Sequence, residues 1–318
     1  MRISFAGGGS DLPPFVQAMP GRVVGSAINL RVRAVVEPFD RGWVRFEGPV
    51  VGESFTRKAC DPPSNAVSFR LLEAALAHTG VTDGVHARIE TDIAPGAGLG
   101  GSASAAVAAL SALKWSIGET ATAEAMVHEA TTIERERLSL VCGSQDQVFA
   151  ACGGILDLSF AESGWLSMTR LPVDRALASA LEEGLLLVDT HVRRVSGEVL
   201  ERVDATAALG TVETLVASAA EAARALEDGS LPRLLVAMRR SAAAKLRRDP
   251  RASRHAVELA RRLEEMHVEV VRACGAGAGG HVLLWASPDK HEAILQALGP
   301  ATVRRPKLGA HGACIEPG

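Results

Sequence analysis

The sequence predicts an α+β protein of two domains, on three observations. Residues 85–112 read as a strand, a glycine turn and a helix. Residues 196–267 are nearly all helical in pattern, and the chain then returns to strand, glycine loop, strand, helix and strand. A length of 318 residues is enough for two cores, and a soft boundary near residue 180 divides the chain into 1–180 and 181–318.

Residues 3–6 form an apolar strand that runs into Gly7, Gly8 and Gly9, a turn that delivers Ser10 and Asp11. Three glycines let a backbone approach a ligand closely. Residues 23–37 alternate as one long strand, with 42–47 paired to it as a hairpin. Asp61, Pro62 and Pro63 break the sheet, and residues 67–78 carry apolar positions at helical spacing. A helix over 123–138, capped by Thr122, brings Glu134 and Arg135 near its end. Residues 140–147 form a turn carrying Asp146; helix follows to Ala151, and Gly153 and Gly154 stop it before a strand to Ser159.

Strands at 164–171 and 184–189 close the first half. The helical stretch breaks at 229–232 and 249–250, and most of its charges are solvated faces. Strands at 268–272 and 281–286, a helix at 289–298 and a strand at 313–316 finish the chain.

The stretch 91–110, TDIAPGAGLGGSASAAVAAL, carries the chemistry of the first half. A strand, a glycine turn and a helix N-terminus make an anion site, because free N–H groups and the positive end of the helix dipole converge there. Gly96, Gly98 and Gly101 fit a dinucleotide fingerprint, which would make the chain an oxidoreductase, but Pro95 sits where a buried strand delivers its last residue. No lysine follows, so the loop is not a Walker P-loop. Ser102 and Ser104 stand where a hydroxyl caps a helix or reaches a phosphate-bound metal. On the loop alone, a plain turn capping an ordinary helix stays open.

Residues 95–104, PGAGLGGSAS, resemble the nucleotide-phosphate loop of the GHMP small-molecule kinases. RISFAGGGSD at 2–11 and CGAGAGG at 274–280 resemble the family's other two signatures, in the same order. The opening RISFAGGGSDLPPF is most similar to the heptose-phosphate and fucose kinase branch, whose members carry a few residues before the arginine, so an abbreviated start is expected. The resemblance implies a two-domain GHMP kinase fold: an N-terminal mixed α/β domain with a left-handed βαβ unit, against the usual right-handed rule, and a C-terminal ferredoxin-like α+β domain.

The activity so implied is ATP-dependent phosphorylation of a sugar or sugar phosphate, first among them the anomeric hydroxyl of D-glycero-D-manno-heptose 7-phosphate. Fucose, galactose or glucuronate kinases are the alternatives, as is a catalytically silent sugar or nucleotide sensor. In this reading Asp146 takes the substrate proton beside Arg2. ATP lies on Pro95, Gly96, Ala97, Gly98, Leu99, Gly100, Gly101, Ser102 and Ala103, and Mg²⁺ on Ser102 and Glu134. Gly8, Gly9, Ser10, Asp11, Arg193, Arg194 and Gly277 meet the sugar, the two arginines suiting a substrate phosphate. Lys245 falls near a lysine common in the branch, Arg272 stands where lysine is common, and Ala278 replaces a usual glycine. If that position needs φ > 0, the alanine costs energy.

A net charge of −3 gives no general field for nucleic acid or an acidic membrane surface. No apolar run approaches a membrane span and the start lacks a signal-peptide pattern, so a cytoplasmic location is expected, with a homodimer as the default assembly. Tyr is absent and aromatics total 4%, which leaves Ala, Val and Leu to build the cores. The five scattered cysteines are expected as buried free thiols in a reducing compartment.

Overall fold

Glycine turns and prolines divide the first half into short strands wrapped on an alanine-rich helix. The computed structural model describes residues 1–48, 52–162, 164–193 and 205–316. β1 (Arg2–Ala6), α1 (Pro13–Val16), β2 (Gly21–Ala27), β3 (Val32–Pro38), β4 (Trp43–Glu47) and β5 (Ser54–Lys58) come first. α2 (Arg70–Thr79), β6 (Val85–Thr91), α3 (Gly101–Ser116) and α4 (Ala123–Thr132) follow. A π-helical turn (Ile133–Arg137), α5 (Gln145–Cys152), β7 (Ile155–Ala161) and β8 (Gly164–Arg170) come next. Beyond them lie α6 (Arg175–Gly184), β9 (Leu185–Asp189), α7 (Ala205–Glu227), α8 (Leu231–Arg248) and α9 (Arg254–Arg262). β10 (Val270–Ala273), β11 (His281–Trp285), α10 (His291–Leu298) and β12 (Val303–Arg304) end the series.

Among the described residues the strands make three four-stranded sheets, ordered β1-β2-β7-β8, β3-β6-β4-β5 and β10-β11-β9-β12. The third is antiparallel throughout. Numbered along the chain its strands lie 2-3-1-4, the ferredoxin-like order. In the second, β4 and β6 run parallel, with β5 and α2 between them in sequence.

Alanines at 103, 105, 106 and 109 let α3 sit close to β3, α2 and α5, so the helix that follows the glycine loop 96–100 is packed along much of its length. Phe69 stacks between Phe46 and Phe55, with centroids 6.2 and 5.8 Å away. The antiparallel pair α7 and α8 covers β1 and β2, and one core joins Ile3, Phe5 and Val24 to Leu226 and Leu234. That core spans both sides of residue 180.

Several expectations change. The long strand at 23–37 is two strands in different sheets, because residues 28–29 leave β2 to pair with the C-terminal tail, Ile28 with Leu308 and Asn29 with Lys307. β4 pairs with β5 and β6, and it is β6 that takes β3, so the expected hairpin does not form. α6, capped by Asp174 accepting from Leu177 N at 2.8 Å, was not anticipated. The strand expected at 313–316 is absent; the tail lies against the end of α5, with Ala313 N donating to Ala150 O at 2.9 Å, and the last strand is β12. All five cysteines are free, as expected, but Cys60 and Cys314 are exposed and only Cys152 and Cys274 are buried.

Candidate active site

Strand β6 ends at Thr91, and the chain reaches α3 through Gly96, Gly98 and Gly100, all with φ between 76° and 79°. That left-handed backbone is open to glycine and strained for other residues. It leads into α3 at Gly101, with Gly100 as the N-cap and no side chain capping the start, and the amides that open a helix have no partner within it. The exposed Ser102 hydroxyl donates to Glu134 Oε1 at 2.5 Å.

Glu134 lies in the π-helical turn, where Leu138 N bonds Ile133 O five residues back. π turns of this kind are frequent at functional sites. The carboxyl is 4% exposed, and its second oxygen accepts from Gln147 Nε2 at 2.5 Å. Burial pushes its pKa up to about 7, against the two hydrogen bonds, and the charge of Asp146 adds to the rise.

Asp146 stands in the first turn of α5, where the helix dipole favours a negative charge. Arg2, the first residue of β1, grips it with two parallel hydrogen bonds, Nε to Oδ1 and Nη2 to Oδ2, both 2.7 Å. Nη1 of the same guanidinium donates to Gly98 O at 2.8 Å, and Arg2 N donates to Leu99 O at 3.0 Å. A β-carbon on Gly100 would lie 3.4 Å from both Arg2 Cγ and Asp146 Oδ2. The acid–arginine pair therefore rests directly on the first glycine loop.

Asp11 is 2% exposed and accepts from Gln145 Nε2 at 2.6 Å and Gln145 N at 3.1 Å. A β-carbon at residue 143 would come within 1.8 Å of its Oδ2, so the close approach requires Gly143. Burial raises its pKa to about 6, with Asp146 next in effect.

The second glycine loop lies on the first. His281 N donates to Ala97 O at 2.9 Å, and β-carbons at Gly275 and Gly280 would stand 2.7 Å from Gly98 O and 2.5 Å from Ala97 O. Ala278 has φ of 60°, the left-handed conformation for which its missing glycine would be suited.

The other sequence-predicted residues divide. Arg2, Asp146, Asp11, Ser102, Glu134 and the loop 96–103 come together, while Pro95 is exposed at the loop's entrance. Ser10 is buried and its hydroxyl bonds both Arg22 O (3.0 Å) and Arg22 N (3.1 Å), so it staples the glycine turn to β2. Gly277 packs on Ala252, whose carbonyl a β-carbon would approach to 2.3 Å. Arg193 is clamped on Asp189 at 2.8 and 2.7 Å, and Arg194 lies outside the described residues. Lys245 is 4% exposed and donates to Ala273 O at 2.9 Å and to Gly275 O. Gln145 and Gln147 escaped the sequence reading, although they flank Asp146 in the motif GSQDQ that drew attention to it.

Residues 66–154 match the family model described as the GHMP kinases N terminal domain, a span that contains the glycine loop at 96–101, Glu134 and Asp146. The chain carries a GHMP kinases N terminal domain. Its relatives include a D-glycero-alpha-D-manno-heptose 7-phosphate kinase of Campylobacter jejuni, 24% identical across 94% of this chain and 91% of that one. Among solved structures, the chain is similar to a D-glycero-D-manno-heptose 1-phosphate kinase from Bacteroides thetaiotaomicron: TM-score 0.80, 19% identity, covering 98% and 95% of the two chains. The Lactococcus lactis galactokinase complexed with galactose superposes with a TM-score of 0.75 at 15% identity, covering 98% of this chain and 92% of that one. No helix of the described residues is long and apolar enough to cross a membrane.

Proposed function

We propose that this GHMP kinase transfers the γ-phosphoryl group of ATP to the anomeric hydroxyl of a heptose that already carries a phosphate. D-glycero-D-manno-heptose 7-phosphate is the first substrate to test, with the 1,7-bisphosphate and ADP as products, in the cytoplasm. The observation that carries the reading is the Arg2–Asp146 pair fastened to Gly98 of the phosphate loop. The heptose kinases with which the chain aligns over nearly its whole length support the sugar.

Phosphoryl transfer needs position and charge more than covalent chemistry. The amides opening α3 hold the nucleotide phosphates, and Asp11 accepts sugar hydroxyls. Asp146 removes the proton of the attacking hydroxyl as its oxygen bonds to phosphorus and the bond to the bridging oxygen of ADP breaks. Arg2 fixes the carboxylate's orientation through the paired hydrogen bonds.

The Ser102 hydroxyl and the buried Glu134 carboxylate fit magnesium, which prefers oxygen ligands. Among the described residues no three His, Cys, Asp or Glu side chains gather as a cage, so these two would share the ion with phosphate oxygens and water. Bound there, it supplies charge neutralisation at the β and γ phosphates.

The test is a panel of free and phosphorylated heptoses, fucose, galactose and glucuronate with Mg·ATP, read by ADP release. Turnover of a heptose phosphate above the rest supports the reading; a panel without turnover removes it in favour of a silent sensor.

A further inference from the structure

Two guanidinium groups are packed beneath the glycine turn that follows β1. Arg272, on β10, is 3% exposed; it donates Nη1 to Phe5 O and Nη2 to Ser4 Oγ at 3.1 Å. Arg248, the last residue of α8, donates Nη1 to Gly9 O at 3.2 Å, and its guanidinium carbon lies 5.7 Å from the Phe15 ring centroid. Its Nε is buried without a hydrogen-bond partner. Among the described residues neither arginine has a carboxylate within 4.0 Å. Asp249 and Asp11 act on Arg248 only from farther off, and burial holds both guanidiniums below the usual arginine range, Arg272 at about 10.

The turn is shaped to admit them. A β-carbon on Gly9 would stand 2.6 Å from Arg248 Nη1, and one on Gly8 would stand 2.6 Å from Ser4 Oγ and 3.0 Å from Arg272 Nη2. The guanidiniums thus occupy room that side chains at 8 and 9 would fill, two residues before Asp11. Buried cations without anions are costly, whereas a planar fork with an unused donor matches a phosphate. Arg193, the other described guanidinium expected to meet a phosphate, is already spent on Asp189.

The geometry points to Arg248 as the residue that binds the phosphate ester carried by the sugar substrate, with Arg272 behind the turn adding positive charge. This rests on the sugar-kinase reading above. It gives the glycines at 8 and 9 a purpose: they let the cation reach the sugar side of the turn.

Arg248→Met keeps an apolar stem over Phe15 and removes the charge; Arg248→Lys keeps the charge without the fork. For each protein kcat/KM is measured with D-glycero-D-manno-heptose 7-phosphate and with the unphosphorylated heptose, and their ratio is read, since it does not depend on the fraction folded. The wild-type ratio should be about 100 or more, fall at least about 10-fold in Arg248→Met through the KM of the phosphorylated sugar, and recover in part in Arg248→Lys. A wild type without preference, or a ratio unchanged by the substitution, overturns the assignment. If the wild type phosphorylates no sugar, the kinase reading fails by itself. Calorimetry with heptose 7-phosphate then reads the site: binding weakened at least about 10-fold in Arg248→Met supports it, and equal affinity or no binding to the wild type refutes it.

Discussion

Arg2 holds both carboxylate oxygens of Asp146 at 2.7 Å and gives its remaining nitrogen to the carbonyl of Gly98 at 2.8 Å. One side chain thereby sets the distance between the Asp146 carboxylate and the first glycine loop. The arginine side chain is 7% exposed and the aspartate 28%, so the pair is held by protein on most sides.

Arg2→Lys retains charge but loses the fork that serves two partners. Its kcat should fall about 10-fold or more, and Arg2→Met should lose about 100-fold or more, because a base displaced from its attack geometry is costly even at short distances. Steady-state kinetics with saturating ATP checks both, and wild-type kcat in Arg2→Met contradicts the role.

The contact between the two glycine loops is a second control point. In Gly275→Ala the new β-carbon meets Gly98 O at 2.7 Å, at a residue with φ of 55°. The loops must separate, so ATP affinity, measured by calorimetry, should drop by about 10-fold, the scale expected for a displaced binding loop. An unchanged affinity would mean that the second loop does not position the first.

Asp11 gives the protein a pH dependence. Its folded pKa, about 6, lies above the 3.8 of an unperturbed aspartate, so between those values the folded state binds more protons than the unfolded one. The group's contribution to stability is greatest below about pH 4, declines up to about pH 6 and is flat above. Relative to Asp11→Asn, the wild type without ligand should lose stability across that window in urea unfolding; a constant difference from pH 4 to pH 7.5 contradicts the burial argument. Sugar KM should rise as pH falls below about 6, when the carboxylate no longer accepts two hydroxyls.

Ala278 pays for its φ of 60°. Ala278→Gly removes that strain but frees the unfolded chain, leaving a net gain of up to about 1 kcal/mol. Thermal unfolding should show a Tm a few degrees higher or unchanged; a clear decrease would mean that the methyl group does more in packing than its backbone costs.

Glycine loops were the most legible features, because a left-handed backbone leaves its mark on residue choice: Gly96, Gly98 and Gly100 all have positive φ. The convergence of Arg2, Ser102, Glu134 and Asp146 could be anticipated only through the family pattern, since nothing local in the sequence links residue 2 to residue 146. Strand partners were less legible. Alternation of period two says which face is buried but not which strand lies alongside, so 23–37 read as one strand and β4 was given the wrong neighbour. Arg248 escaped for a related reason. At the basic end of a helix rich in arginine it reads as a solvated charge, and only packing against Gly9 and Phe15 distinguishes it.

The most direct measurement follows Mg·ATP and D-glycero-D-manno-heptose 7-phosphate by phosphorus NMR with the purified wild type and Asp146→Asn. The wild type should produce ADP and a new anomeric phosphate resonance, and Asp146→Asn should do so about 100-fold to 10,000-fold more slowly while binding ATP normally. Equal rates in the two proteins would contradict the role of Asp146, and with it the account of the site.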